Sequence, residues 1–188
     1  MSPGMRTFAE PADEPDRTAA FREGMRYMAG AVALVTAGVG ERRIGMTATS
    51  VTALSAEPPT LLVCINRSAS LRPLLDRVGH FAVNLLGDSH QGLADRFAGR
   101  HGVAGANRFA RGRWTTLATG APVLGDALAA FDCAIEEIIE RHSHAIVIGR
   151  VEAVRTAAVP ALLYWHGGYR LLAVDEGDGA FATACVGG

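Results

Sequence analysis

Two hydroxyl-rich segments contain the residues whose types and spacing could hold a polar ligand. The first, residues 45–55, has hydroxyl side chains at five of its eleven positions and no charged residue. It is rich in β-branched residues, as strands are, but it has more hydroxyls than a buried strand needs. Its backbone and short side chains could lie against a flat polar ligand, or it could be an ordinary exposed strand. Because side chains alternate along a strand, residues 47, 49 and 51 are predicted to face one way and residues 48, 50 and 52 the other.

The second segment, residues 66–70, combines an amide, an arginine and two serine hydroxyls directly after an apolar run. Pro73 follows closely, so this loop is predicted to lead into a short helix that Ser68 or Ser70 caps. Free N–H groups at a helix start, together with hydroxyls, an amide and a guanidinium, suit a phosphate group. An ordinary capped turn would account for one serine, but not for Asn66 and Arg67 beside it.

Other chemistries have weaker support in the sequence. His142 and His144 are predicted to share a strand face, but no third histidine or carboxylate has a matching metal-ligand spacing. The sequence has no serine-hydrolase elbow, no P-loop and no glycine-rich dinucleotide motif after a strand. An enzyme without a strong nucleophile or a metal often takes its chemistry from an organic cofactor.

Composition excludes several classes of protein. The 188 residues are 49% hydrophobic and 20% charged with a formal net charge of −1, which predicts one soluble domain without a basic face for nucleic acid. Three widely spaced cysteines predict neither a zinc site nor a disulfide framework. An apolar run of roughly 18 residues and a signal-peptide pattern are both absent, so we expect a cytoplasmic protein with no membrane span.

Short strands must position the two hydroxyl-rich segments. About seven strands are predicted, most of them joined by brief turns that favour antiparallel pairing. Few crossover helices are available for a parallel sheet, so the predicted fold is mainly β, an antiparallel β-barrel with peripheral helices. The domain is expected to span residues 18–175, between flexible tails at residues 1–17 and 176–188.

Two further segments carry specific expectations. Helical spacing from Thr18 places Phe21, Met25 and Met28 on one helix face, which is predicted to pack on the sheet as core. Residues 99–112 are rich in glycine and arginine and are predicted to form a long surface loop. That loop could be a lid over a site, or an insertion with no role.

Several motifs together resemble one known family. Their order and spacing are similar to those of the flavin reductase component of two-component flavin-dependent monooxygenases. That family consists of short-chain NAD(P)H:flavin oxidoreductases with an antiparallel split β-barrel of the FMN-binding type. The resemblance covers residues 21–172, and the motifs that carry it are Gly45–Val51, Pro58-Pro59, Cys64–Ser68, Phe81–Leu86, Arg96-Phe97, His144 with Ile146, Gly149–Val151 and Leu162–Tyr164.

The resemblance implies hydride transfer from NADH or NADPH to bound FMN or FAD. It also implies a homodimer that supplies reduced flavin to a separate monooxygenase. Two other functions stay open: a carrier that keeps its flavin tightly bound and passes electrons to a protein, and a flavin-binding protein without turnover.

The resemblance also implies residue roles. Backbone groups and hydroxyls would line the flavin ring and ribityl chain at Thr47, Ala48, Thr49 and Ser50, with Cys64 on the neighbouring motif. The flavin phosphate would be held by Asn66, Arg67, Ser68 and Ser70. Arg96 and Phe97 would border the outer part of the flavin, although Phe97 could equally be core. Tyr169 would approach the cofactor or the nicotinamide.

His144 matches the family histidine on the nicotinamide side of the flavin. It could orient the dihydronicotinamide with C4 over flavin N5 at roughly 3–3.5 Å. The family commonly has Asp before this histidine, whereas this chain has Ser143. The last turn, residues 165–169, is less basic than in the family, which favours NADH over NADPH.

Overall fold

Twelve strands and three α-helices make up the regular structure of residues 14–172, the part of the chain that the computed structural model describes. The helices are α1 (Glu14–Met25), α2 (Arg72–Val78) and α3 (Gln91–Phe97). The strands are β1 (Gly30–Ala31), β2 (Ala33–Ala37), β3 (Ile44–Ala48), β4 (Val51–Ala56), β5 (Pro59–Asn66), β6 (His80–Leu85), β7 (Trp114–Thr115), β8 (Val123–Leu124), β9 (Ala129–Arg141), β10 (His144–Thr156), β11 (Leu162–Trp165) and β12 (Gly168–Leu171).

The main sheet is antiparallel and curls on itself. Its seven strands run in the order β3-β2-β6-β9-β10-β5-β4. The two edge strands, β3 and β4, are separated in the chain only by Thr49 and Ser50. Opposite edges of a sheet that wide can meet across two residues only if the sheet rolls into a barrel. The predicted antiparallel β-barrel with few helices is therefore confirmed.

The core has two parts because β2 is buried on both faces. Leu34 points towards a cluster that contains Phe97 of α3 and Phe109. Val35, its neighbour, points towards a cluster that contains Leu75 of α2 and Phe81 of β6. Alternation along the strand thus explains why this segment is almost entirely apolar.

Buried polar groups attach the segment before β8 to the barrel. Thr36 Oγ1 donates to Pro122 O at 2.6 Å, and Asn84 Nδ2 donates to Thr36 Oγ1 at 3.1 Å. Asn84 Oδ1 accepts from Leu124 N at 2.7 Å. Every polar atom of this small network has a partner, as buried polar groups require.

The prediction that one face of the first helix is core is wrong. Phe21, Met25 and Met28 are 66%, 50% and 72% exposed. The helix instead contacts the barrel near its end, where Arg26 O accepts from His166 N at 2.9 Å and Tyr27 O from Trp165 Nε1 at 3.2 Å. Helical spacing correctly predicted a helix that contains Phe21 and Met25, but α1 ends before Met28, and the single chain covers none of the three side chains.

The predicted tails fall mainly on residues outside the described part of the chain. Residues 14–17 are the exception, because α1 begins at Glu14 and not at Thr18. Within residues 14–172, no helix combines the length and the apolar character that crossing a membrane requires.

The glycine- and arginine-rich loop is attached to the barrel. Residues 105–110 form a 3₁₀ helix whose Phe109 is only 3% exposed. The Arg108 guanidinium donates to Gly45 O at 2.9 Å and to Val103 O at 2.9 Å. These contacts show that the loop packs against β3 of the barrel.

Candidate functional site

The first hydroxyl-rich segment is two strands and not one. β3 pairs with β2 and ends at Ala48, whereas β4 pairs with β5 and begins at Val51. The predicted alternation of side chains from residue 47 to residue 52 is therefore wrong. The chain bends between the two strands because each half forms a different edge of the sheet.

Two hydroxyls hold the shape of this bend. Thr47 Oγ1 donates to Ala94 O on α3 at 2.7 Å, and Ser50 Oγ donates to Cys64 O on β5 at 2.8 Å. Cys64 N donates in turn to Ser50 O at 3.1 Å. The backbone between Thr47 and Ser50 is thus tied to an element on each side.

The bend forms one wall of a cavity of about 220 Å³, which we call the inner pocket. Thr47, Ala48 and Thr49 of the first segment lie there beside Tyr169 of the last hairpin, and all four are predicted site residues. The pocket is lined by Thr47, Ala48, Thr49, Arg100, Tyr164 and Tyr169. Side chains more than a hundred residues apart in sequence therefore share one small site.

A carboxylate organises the mouth of the inner pocket. Asp95 Oδ1 accepts from Tyr169 OH at 2.9 Å and from Arg100 Nη1 at 2.8 Å, and the Arg100 guanidinium lies 5.6 Å from the centre of the Tyr169 ring. Burial, reinforced by the hydrogen bond and charge of Asp95, raises the pKa of Tyr169 to about 12. The hydroxyl therefore keeps its proton at neutral pH and remains a donor.

The second segment borders another cavity, of about 620 Å³, which we call the loop cavity. Asn66 Oδ1 accepts from both the Ser68 backbone N–H at 2.9 Å and the Ser68 hydroxyl at 2.8 Å. This Asx turn replaces the predicted serine cap, which is wrong, because α2 begins after Leu71 without a side-chain cap. The residues of this segment that line the cavity are Asn66, Arg67 and Ser68, and Ser70 does not line it.

A shared carboxylate holds two guanidinium groups in the loop cavity. Glu140 pairs with Arg67 at 3.0 Å and with Arg72 at 3.2 Å. Arg72 also pairs with Asp76 at 2.8 Å, and it is only 9% exposed. Its buried Nε has no hydrogen-bond partner within residues 14–172. A buried donor without a partner is costly, so this position suits an acceptor from a ligand.

His144 lies beside the loop cavity and lines neither cavity. It is the first residue of β10, and it lies opposite Asn66 of β5 in the sheet. The Ser143 hydroxyl contacts His144 Nδ1 at 2.9 Å. Where the family commonly has a carboxylate, this chain therefore orients the imidazole with a hydroxyl.

Arg96 and Phe97 support the barrel in this structure. The Arg96 guanidinium donates to the carbonyl groups of Asn107 and Arg108. Phe97 is 1% exposed and packs against Phe109 and Trp114. This is the core position that the sequence had left open for Phe97, and neither side chain lines the inner pocket or the loop cavity.

Sequence reasoning missed several charged side chains that line these cavities, namely Arg72, Asp76, Arg100 and Glu140, and it missed Asp95, which bonds to Tyr169 and Arg100. Only Arg72 had a signal, because a cation in the first turn of a helix opposes the helix dipole and so indicates a specific partner. The others become neighbours through strand register and helix docking, which no local pattern reveals.

Comparisons with known proteins agree with this geometry. A family model described as "Flavin reductase like domain" matches residues 25–173. The chain is 47% identical over 154 residues to FMN reductase (NADH) RutF 2 of Methylorubrum extorquens (strain PA1), covering 81% of this chain and 88% of that protein.

Two solved structures are also similar. One is the NADH:FAD oxidoreductase SgcE6 of Streptomyces globisporus C-1027 in complex with NAD and FAD fragments. It matches with a TM-score of 0.78 at 30% identity, and the match covers 89% of this chain and 99% of the SgcE6 chain. The styrene monooxygenase flavin reductase of Pseudomonas putida S12 has a TM-score of 0.73 at 31% identity, covering 82% and 97% of the two chains.

Proposed function

This chain belongs to the flavin reductase-like domain family, and we propose that it reduces FMN or FAD with NADH and delivers the reduced flavin to a separate monooxygenase. Flavin reduction by NAD(P)H is the activity shared with its relatives. NADH as the donor, and an oxygenase as the recipient, extend to this chain from the similar proteins described above.

The observation that carries the proposal is the position of Cys64 between the two cavities. Its backbone is bonded to Ser50, which ends the bend that forms a wall of the inner pocket. Cys64 also precedes Asn66, where the loop cavity begins, by two residues on β5. A ligand with a flat ring and a phosphate on a polar chain can therefore place one end in each cavity.

The residues present suit a flavin. Arg67, Arg72 and Ser68 supply donors for a phosphate, and the partnerless Arg72 Nε gives one of them a buried position. The bend from Thr47 to Thr49 presents backbone groups to the inner pocket. When bound, flavin accepts the hydride, so the protein itself needs no nucleophile and no metal.

The chain's own residues would bind and orient the reactants. Arg67 and Arg72 hold the anionic end, while Tyr169 and Thr49 limit the space above the bend and keep water out. His144 would position the dihydronicotinamide, with Ser143 fixing its ring. Ser50 and Cys64 act through the backbone that they tie together.

A steady-state assay tests the proposed function. NADH oxidation should depend on added flavin. The affinity for FMN and for FAD should be higher than the affinity for riboflavin, since riboflavin has no phosphate. If NADH is not oxidised with any of the three flavins, the proposal is wrong. If the purified protein is coloured and does not exchange its flavin, the tight electron carrier is favoured instead.

We further propose that the chain acts in the cytoplasm as a homodimer. The cytoplasm supplies NADH, and Cys64 and Cys133 are both free thiols. β4 is an edge strand, and an exposed edge is usually covered in native proteins. Next to it lies an apolar groove of about 270 Å³ that includes Val51, Phe131 and the 54% exposed Val154. A second copy of the chain covering this groove would bury both features.

A further inference from the structure

A second groove opens from the inner pocket. It has a volume of about 610 Å³ and lies between the end of α1 and the β11–β12 hairpin. Thr49 and Tyr164 line both this groove and the inner pocket, so the two cavities adjoin. We call it the α1 groove, and its other walls include Arg22, Arg26, Met28 and His166.

Backbone contacts fix the position of the α1 groove. Gly30 of β1 pairs with Tyr164, and a Cβ at Gly30 would lie 3.1 Å from the Thr49 Cβ, so glycine permits this close approach. His166 N donates to Arg26 O at 2.9 Å, and the rings of Tyr27 and His166 are 5.2 Å apart. The groove is thus built from three separate chain segments that hold one another.

The charge of the α1 groove suits an anion. Arg22 lies in the last turn of α1 and Arg26 directly follows the helix, so two like charges lie side by side along this groove. Arg26 lies over the hairpin turn, since its guanidinium is 3.4 Å from the position of a Cβ at Gly167. Its pairing with Glu23, at 3.7 Å between half-exposed side chains, is weak and can be exchanged for a ligand.

We propose that the α1 groove binds the diphosphate of the nicotinamide dinucleotide, with Arg22 and Arg26 as its cationic partners. The inference rests on the proposed function, because it takes the inner pocket as the place of the flavin ring on which the nicotinamide must stack. The loop cavity already supplies a site for the flavin phosphate on the other side of the bend. A dinucleotide whose nicotinamide stacks on a flavin ring at the inner pocket can extend its diphosphate along the α1 groove, past Thr49 and Tyr164.

The test compares hydride donors with and without a diphosphate. In the double variant Arg22→Gln/Arg26→Gln, the KM for NADH should rise about 3- to 10-fold while kcat stays unchanged, since loss of uniform binding affects only KM. With reduced nicotinamide riboside, which has no phosphate, the same variant should match the wild type. Arg17→Gln, which removes one charge from the same helix outside the groove, is the matched control for the single variant Arg22→Gln.

A binding measurement separates this inference from the reductase activity. ADP-ribose has the diphosphate but no nicotinamide, and calorimetric titration should show weaker binding to the double variant than to wild type. The inference is overturned if the KM for NADH does not change, if the riboside KM rises equally, or if the Kd for FMN rises instead. Absence of flavin-dependent NADH oxidation in the wild type would instead remove the proposed function, while leaving ADP-ribose binding measurable.

Discussion

Asp95 connects a tyrosine and an arginine that reach the inner pocket from different elements. Its contact with Tyr169 gives a pH-dependent prediction. The pKa of Tyr169 is raised from its ordinary 10.0 to about 12, first by burial and then by Asp95. The folded chain therefore holds this proton more tightly than the unfolded chain. The resulting stabilisation is complete below about pH 10 and is lost as the pH rises towards 12.

Ultraviolet difference titration of wild type against Tyr169→Phe isolates this hydroxyl from the other two tyrosines. We expect it to ionise last, and Asp95→Asn to move its pKa back towards the ordinary value because charge repulsion and the acceptor are weakened. An ordinary pKa in the wild type would mean that Asp95 and Tyr169 are not bonded in solution.

His144 gives the second prediction at this scale. Replacing His144 with Ala should slow hydride transfer by roughly 10- to 100-fold, because an imprecisely placed donor reacts slowly even when bound. The Kd for flavin should change little, since the proposed phosphate contacts come from Arg67 and Arg72. Stopped-flow reduction measures the rate, and fluorescence titration measures the affinity.

Ser143→Ala is the matched control for His144→Ala. It keeps the imidazole but removes the hydroxyl 2.9 Å from Nδ1, so its effect on the rate should be smaller. Equal losses of rate and flavin affinity in His144→Ala would contradict the proposed role. They would indicate instead that the histidine supports the neighbouring Asn66 turn.

The sequence indicates which residues line a cavity more reliably than it indicates their hydrogen-bond partners. Asn66, Arg67 and Ser68 all line the loop cavity, and the phosphate that they were predicted to hold stays a prediction. The serine cap was wrong because an Asn two residues before a serine can form an Asx turn with it, and the sequence does not decide between the two.

Docking of α3 onto β3 depends on one glycine. A Cβ at Gly45 would lie 2.6 Å from Phe97 Cε1 and 3.0 Å from Thr36 Cγ2, both within the buried core. Gly45→Ala should therefore destabilise the protein by about 1–3 kcal/mol through overpacking. Because Thr47 Oγ1 bonds to α3 from the same strand, flavin affinity should fall as well. Urea unfolding and flavin titration measure the two effects.

Gly92→Ala is the matched control within α3. A Cβ at Gly92 meets nothing within 4 Å, so this change should stabilise the helix by about 0.5–1 kcal/mol. If Gly45→Ala were as stable as the wild type, the packing of Phe97 against β3 would be looser than the structure indicates.

The predicted secondary-structure elements were wrong where one segment pairs with two different strands. Residues 45–55 have the composition of one strand, but the structure divides them between two sheet edges. Local propensity describes how a segment fits a pleated surface and contains no information about which strand lies beside it. The first helix failed similarly, since periodicity identifies a shared face without identifying what covers that face.

At the scale of the molecule, the barrel could be predicted because its connections are short. The β2–β3, β9–β10 and β11–β12 hairpins were all expected from brief turns between apolar runs, and all are antiparallel pairs. The order of strands across the sheet was not predicted from the sequence. Contacts between strands far apart in sequence, such as β6 with β9, leave no pattern in either segment.

The groove beside β4 gives the last prediction, on oligomeric state. A chain of 19.7 kDa that forms a homodimer should show twice that mass by light scattering after size exclusion. Val154→Glu should yield a monomer, because it buries a charge in an interface that offers no partner for it. Val39→Glu is the control, since Val39 is 65% exposed and does not line the groove.

The outcome of that experiment also bears on the site. If flavin affinity falls together with dimerisation in Val154→Glu, the second chain helps to complete the flavin site. If the variant is monomeric with unchanged flavin affinity, each chain holds its flavin alone in its own inner pocket and loop cavity. A monomeric wild type would contradict the proposed dimer, and a dimeric Val154→Glu would place the interface elsewhere, with the exposed apolar face of α1 as the next surface to test.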